Sequence, residues 1–360
     1  MRLYFLPMEQ TVSSLLAGEL ERLGWVQADL ARVLTWPVQT FSEVINGRRR
    51  IDAAMALDLQ EATQIRAHDW LAVQAAQDLD DVRRDPKSGA RSGRIRARAA
   101  LEKKVPVREL IRRGVIDAAD EAVQERQLRD LLEVPRLEDQ PPFASGISAR
   151  RSNLTAPLTR QQVAWVALAR RAGREIEVAG FDASDFDEFA KGLPHQLHDP
   201  EDFVGLPHLF AEQGVRLVHV PAFPGGRLDG ASLDLDGAPL VALSGRGKRL
   251  DRVLFTLLHE CAHISLGHWG EGSVNVHESG IPGDQERERK VDALASTWVL
   301  PEPLERHGPL RAKDIPRLAQ EYGVAEAVII GQLQHAGLMP WGSQASRGLP
   351  QVEGALMAWS

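Results

Sequence analysis

The run from Val253 to Ile264 meets two demands at once: its apolar residues Val253, Leu254, Leu257, Leu258 and Ile264 recur at helical spacing, and His259, Glu260 and His263 stand among them. Residues four apart share one face of a helix. The spacing therefore predicts a helix that presents both imidazoles to one point, with Glu260 beside them. Zinc suits such a set. In catalytic sites it takes imidazole nitrogens and a carboxylate and keeps one position open for water, whose pKa falls toward about 7 when bound. Glu260 is then placed to accept a proton as hydroxide attacks a peptide carbonyl, and to pass it to the leaving amine.

Two histidines at this spacing also arise by chance on a buried face, so the reading turns on a third ligand. A histidine following a glycine would need His-Glu-x-x-His-x-x-Gly-x-x-His. Leu266 and Trp269 occupy those positions, and Gly267 and His268 each miss by one residue. A glutamate on a second helix fits better. Glu288 opens a segment with the apolar row Val291, Leu294, Ala295, Trp298 and Val299, and Asp292, one turn later, can accept the second ring N–H of a ligating histidine. Glu286 has no acid four residues on, which ranks it below Glu288; His268 and His277 are lesser candidates. Either histidine can instead donate a hydrogen bond to the oxyanion of a tetrahedral intermediate. His195, His198 and His208 lie near prolines, where a surface position is expected. Cys261 reads as a small buried hydrophobe rather than a nucleophile.

At 360 residues with 43% hydrophobic content the chain is long enough for two or three domains. Its single cysteine cannot form an internal disulfide, no secretory leader is legible, and no apolar stretch approaches the roughly 20 residues that span a bilayer. A cytoplasmic protein without membrane contact is expected. The net charge of −7 is unevenly spread: between Arg83 and Lys104 nine bases face only Asp85 and Glu102. Such asymmetry marks either an anionic partner or a solvated linker. Leu15 to Leu79 reads as short helices cut by turns at Gly24, Thr35-Trp36-Pro37 and Asn46-Gly47. A new domain is expected near residue 150, with a capping box at Thr159 to Gln162, a strand at Arg216 to Val220 and a hairpin turning at Asp236-Gly237. Helices are expected at Leu250 to Gly267, Glu286 to Leu300 and Ile315 to Ala336, and a poorly ordered tail from Trp341. No repeat of solenoid period is present.

Gln27 to Leu34 and Pro37 to Gly47 have the apolar spacing of a helix-turn-helix. The second helix would enter the major groove through its N-terminal residues, making Val38, Gln39, Thr40 and Ser42 the base-facing candidates. Gln39 is suited to adenine and Val38 to a thymine methyl. Arg48, Arg49 and Arg50 follow the helix, where they suit phosphate contacts. Residues 9–75 carry more acids than bases, so a protein-binding role is the alternative for this module.

With these residues in view, the first part resembles HigA-like regulators of the XRE family, through Leu20 to Ala31, Ser42 to Arg49, Ala56-Leu57 and Trp70-Leu71. The second part resembles ImmA/IrrE-type (M78-like) metallopeptidases, through Leu228 to Ala231, Arg252 to His263 and Glu288 to Pro301. Pro37 and Val38 stand where a serine cap and a basic residue are usual, and Lys290 and Val291 where an acid and an alanine are common. The resemblance implies a multidomain chain: an all-α helix-turn-helix domain (1–80), a basic helical linker (81–150), an α+β zincin-like domain with a small sheet around the motif helix (151–340), and a tail (341–360). It implies Zn2+ held by His259, His263 and Glu288, with Asp292 behind them and Glu260 as general base. It further implies a homodimer on a double-stranded operator and cleavage of a specific protein, either the chain itself or a repressor or toxin-type partner. The expected function is a DNA-binding regulator of antitoxin or stress-response type with its own zinc endopeptidase. Two alternatives stand: a processing protease whose N-terminal module binds protein, and a regulator whose zinc domain senses without turnover.

Overall fold

The computed structural model describes residues 10–118, 120–144, 158–270, 274–278, 285–302, 304 and 311–359. The chain forms two compact units, Met1–Ala97 and Arg98–Ser360. Among the described residues no helix is long and apolar enough to cross a membrane.

In the first unit, α1 (Val12–Leu23) opens on a capping box between Thr11 and Ser14 and stops at Gly24 in the left-handed region. α2 (Gln27–Val33) and α3 (Val38–Ile45) are joined by Leu34 to Pro37, and α4 (Ala53–Thr63) is capped by the Asp52 carboxylate. α5 (Ala67–Arg84) follows. One apolar cluster ties these helices together, with Leu16, Leu30, Phe41, Val44, Leu59 and Trp70 at its centre. α3 turns Phe41 and Val44 inward and leaves Val38, Gln39 and Ser42 exposed, as its spacing predicts.

The boundary between the units falls inside α6 (Pro86–Lys104). The second unit continues with α7 (Val107–Arg112), α8 (Glu121–Leu132), α9 (Arg160–Arg174), α10 (Ala183–Gly192) and α11 (Leu206–Glu212). Strands β1 (Arg216–His219), β2 (Leu228–Leu235) and β3 (Ala238–Leu243) lead to α12 (Leu250–Ser265), then β4 (Val274–Glu278), α13 (Gln285–Val299), α14 (Ile315–Tyr322), α15 (Glu326–His335) and α16 (Glu353–Met357). The four strands form one mixed sheet in the order β1-β3-β2-β4, with β1 parallel to β3 and the other pairs antiparallel. The β2–β3 hairpin turns at Asp236-Gly237, where both residues have positive φ (54° and 82°), the requirement of a two-residue primed turn.

Strand alternation divides the interior. Leu217, Val241 and Leu243 join the helices α12 to α15, whereas Val218, Leu233, Leu240 and Ala242 face α7, α8 and α9. α9 lies so close to the hairpin that a Cβ on Gly173 would meet Leu235 at 2.8 Å. At the same edge Glu133 accepts paired hydrogen bonds from Arg170 and Arg174, and this holds its carboxyl at about 2 against the opposing effect of burial.

Three expectations are corrected here. The stretch 81–150 is not a linker throughout. Leu101, Val105, Leu110, Leu128, Leu131 and Phe143 are buried in the same core as Trp165 and Leu233, so from Arg98 onward it belongs to the second unit. The segment from Trp341 is no loose tail: Val352 and Leu356 are fully buried, and the Trp359 indole donates to the Phe203 carbonyl at 2.8 Å. Its anchor is a helix of only five residues, too short to show a period. The helix expected from Ile315 to Ala336 is broken at Gly323, whose φ of 63° caps α14.

Candidate metal centre

α12 carries His259, Glu260 and His263 on the side facing α13 and the sheet, and all three are buried. Both rings turn Nε2 toward Glu288, near the start of α13: His259 Nε2 lies 3.3 Å from Glu288 Oε2 and His263 Nε2 3.8 Å from Glu288 Oε1. A ligand atom from each residue lies within 4.8 Å of the other two, and the rings stand 5.0 Å apart at 74°. Two imidazole nitrogens and a carboxylate in this spread are a set that could hold a metal ion such as zinc. Behind His259, Asp292 Oδ1 is 2.9 Å from Nδ1, so the carboxylate accepts the Nδ1 proton and Nε2 keeps its lone pair for a metal.

The electrostatics call for a cation. Burial presses His259 toward its neutral form, yet Asp292 and Glu288 outweigh burial and raise its pKa to about 10. A ring so placed between carboxylates is a position that wants positive charge, which a metal ion at Nε2 supplies as well as a proton does. Glu260 makes the same demand. Among the described residues neither of its buried carboxylate oxygens meets a hydrogen-bond partner, and burial pushes its pKa up to about 8, with Glu288 and Asp229 adding to the shift and His259 and Ser232 opposing it. An ionised carboxylate left without partners is costly; positive charge at the three ligands relieves that cost and brings the pKa down toward neutrality.

Glu260 has room because β2 passes close by at Gly230. A Cβ there would come within 2.9 Å of Glu260 Oε1 and 2.9 Å of Thr256 Cγ2. The Leu228 to Ala231 segment could be noticed in the sequence, but this contact could not. Asp229 is buried against Arg246 at 3.0 Å, on the strand that backs Glu260.

The other candidate residues fall elsewhere. His268 lies beside His263, with their Nδ1 atoms 3.1 Å apart. His277 pairs through its backbone with Gly230 on β2, and its side chain lies outside the described residues. Glu286 is exposed and pairs with Lys290 at 3.0 Å. Cys261 is buried, and burial raises its thiol well above the ordinary range, as befits an inert core residue. In the first unit Val38, Gln39 and Ser42 are exposed, Thr40 is partly so, and Arg48, Arg49 and Arg50 line the exposed turn after α3. Arg50 reaches Asp78 at 2.8 Å and Arg49 lies 3.9 Å from Glu43.

No curated protein matches the chain. Among solved structures, a crystal structure of a hypothetical protein from E. coli is 30% identical over 24% of this chain and 88% of that one, with a TM-score of 0.23. Residues 211–333, which run from the end of α11 through β1 to β4 into α15 and contain His259, Glu260, His263 and Glu288, match the Peptidase_M78 family. Over that span the chain carries an IrrE N-terminal-like domain.

Proposed function

We propose that the second unit is a zinc-dependent endopeptidase and the first a DNA-binding module, and that together they make a transcriptional regulator of antitoxin or stress-response type. One observation carries the peptidase reading: the fully buried Glu260 carboxylate, without a hydrogen bond among the described residues, beside two imidazoles and a glutamate that converge on one point. Bound zinc would supply Lewis acidity and an activated water. His259, His263 and Glu288 hold it, Asp292 fixes the His259 ring, and Glu260 takes a proton from the nucleophile and returns it to the leaving nitrogen. Among the described residues β4 is an edge strand of the sheet, and a substrate segment laid along it gains main-chain hydrogen bonds, which fits a specific protein substrate in extended form. The substrate is the chain itself or a repressor or toxin-type partner.

The DNA reading is supported by the exposed N-terminal face of α3 and by exposed cations in the same unit. Arg48 adds one, and on α6 Lys87, Arg91 and Arg94 share an exposed face in a stretch, 86–97, that contains no acid. A homodimer on a palindromic operator follows from that reading.

The test is elemental analysis of the purified wild type beside His263→Ala and Glu288→Gln, followed by footprinting of the DNA upstream of the chain's own gene. About one zinc per wild-type chain, much reduced in both variants, and a protected palindrome are expected. A wild type that takes up no added zinc overturns the peptidase. An unprotected upstream region overturns the DNA reading and leaves a protease whose first unit binds protein.

A further inference from the structure

α12 ends in a Schellman turn. The Gly267 N–H bonds to the Ile264 carbonyl at 2.9 Å and the His268 N–H to the His263 carbonyl at 2.8 Å, with Gly267 at φ 68°. This turn always brings the residue after the left-handed position back over the residue five before it. Here both are histidines, and their rings lie 5.3 Å apart with the two Nδ1 atoms at 3.1 Å. Gly267-His268, one residue short of a third-ligand pattern, thus ends the helix and folds an imidazole back onto a ligand candidate.

The His268 backbone is held from two further elements. Its carbonyl accepts from Asn275 Nδ2 on β4 at 2.9 Å and from Arg287 Nη2 on α13 at 3.3 Å. Arg287 also donates to Asn275 Oδ1 at 2.8 Å, and Asn275 Nδ2 lies 3.2 Å from Ser232 Oγ on β2. Strand, helix and turn therefore meet at one carbonyl, the one belonging to the residue that touches His263.

We propose that His268 is the positioning residue of His263, holding its Nε2 toward Glu288 as Asp292 holds that of His259. The inference rests on the metal reading of the site. Two imidazoles bonded through Nδ1 need one donor and one acceptor. For His263 to offer an Nε2 lone pair its proton must sit on Nδ1, so His268 accepts there and carries its own proton on Nε2. The two rings of the site are thus steadied differently, His259 by a charged acceptor and His263 by a neutral one.

The experiment compares His268→Leu with His268→Asn in the full chain. The asparagine Oδ1 occupies the place of Nδ1 and can still accept the bond, whereas leucine fills the space and cannot. Zinc affinity is measured by competition with a chromophoric chelator, and the protonated nitrogen of His263 by 15N NMR of the zinc-free chain. His268→Leu is expected to weaken zinc binding by about 10–100-fold and to release the Nδ1 proton to either nitrogen, while His268→Asn stays within a few-fold of wild type with Nδ1 protonated. Thermal melts of both variants report the fold. Zinc held by His268→Leu as tightly as by wild type overturns the proposal, and so does an equal loss in both variants, which would make the contact one of packing alone. A wild type that binds no zinc is a different failure: it removes the metal reading, and this role with it.

Discussion

The two units keep their polar chemistry in opposite places. In 98–360 the three polar residues of the motif helix are interior: His259 and Glu260 are 0% exposed and His263 2%. In 1–97 the core is apolar from Leu16 to Trp70, and the singled-out residues are on the surface, with Val38 72% exposed. The difference decides what a structure can say about each. A buried polar group in a low-dielectric interior must be answered by its neighbours, so those neighbours disclose what it does. An exposed one is satisfied by water whether or not it has a partner, and only binding reveals its use. The sharpest way to break the contrast is Glu260→Gln. The variant is expected to keep its zinc and its melting temperature and to cleave substrate about 10²–10⁴-fold more slowly, the range of a lost general base. A variant that keeps wild-type cleavage removes Glu260 from the chemistry; one whose loss of cleavage is matched by loss of zinc makes it a structural residue.

A smaller effect is expected from adding a single methyl group to each unit. Gly230→Ala places a Cβ 2.9 Å from Glu260 Oε1. Either the strand or the carboxylate must shift, at a cost of about 1–3 kcal/mol, with cleavage falling while zinc remains bound. Gly18, inside α1 of the first unit, has nothing within 4 Å of the same added atom among the described residues. Gly18→Ala should therefore stabilise that unit by about 0.5–1 kcal/mol. Melting curves of the two variants check the pair, and equal behaviour would show that the packing around Glu260 is looser than its distances imply.

Stability against acid tests the second unit in another way. Glu133, half-buried and bracketed by Arg170 and Arg174, has a folded pKa of about 2 against an ordinary 4.5. A depressed carboxylate stabilises the fold fully above its unfolded pKa and loses that contribution as pH falls through the folded one. The second unit should accordingly weaken as pH drops from about 4.5 toward about 2. Glu133→Gln should cost about 1.5–3 kcal/mol at neutral pH and flatten that acid limb. Denaturant midpoints measured across the window check the sign, and an unchanged slope would mean that another group governs it.

How far the sequence could be read follows from the range of each interaction. His259, His263 and the Glu288–Asp292 pair were legible because helical spacing alone puts residues four apart on one face. The hairpin was legible because Asp-Gly can take two positive φ values in succession. The brace behind His268 was not, since Asn275 reaches Ser232 across 43 positions and Arg287 reaches Asn275 across 12, distances no local period encodes. The stretch from Leu101 to Phe143 looked like a linker because charged residues outnumber its narrow apolar stripe, although each stripe residue is buried. The same weakness hid Val352 and Leu356, a single i, i+4 pair formed by the cap and one residue of a five-residue helix.

The smallest effect tests the exposed side of the comparison. Lys87, Arg91 and Arg94 stand at i, i+4 and i+7 on α6, all exposed, with no carboxylate between residues 86 and 97 to neutralise them. If they face a duplex, each phosphate they neutralise releases counterion, and removing a charge should lower the salt dependence of binding by about 0.9 in the log–log slope. Arg91→Gln combined with Arg94→Gln should then reduce the slope by about 1.8 and weaken binding to every duplex alike. Gln39→Ala should leave the slope untouched and instead relax preference at one base pair by about 1–3 kcal/mol. Fluorescence anisotropy across a salt series reads both quantities. An unchanged slope in the double variant would make the basic face of α6 a solvated surface, and a flat response in Gln39→Ala as well would leave the first unit without a nucleic-acid role. Its exposed cations would then owe their positions to solubility, while the buried carboxylate of the second unit would still require a partner.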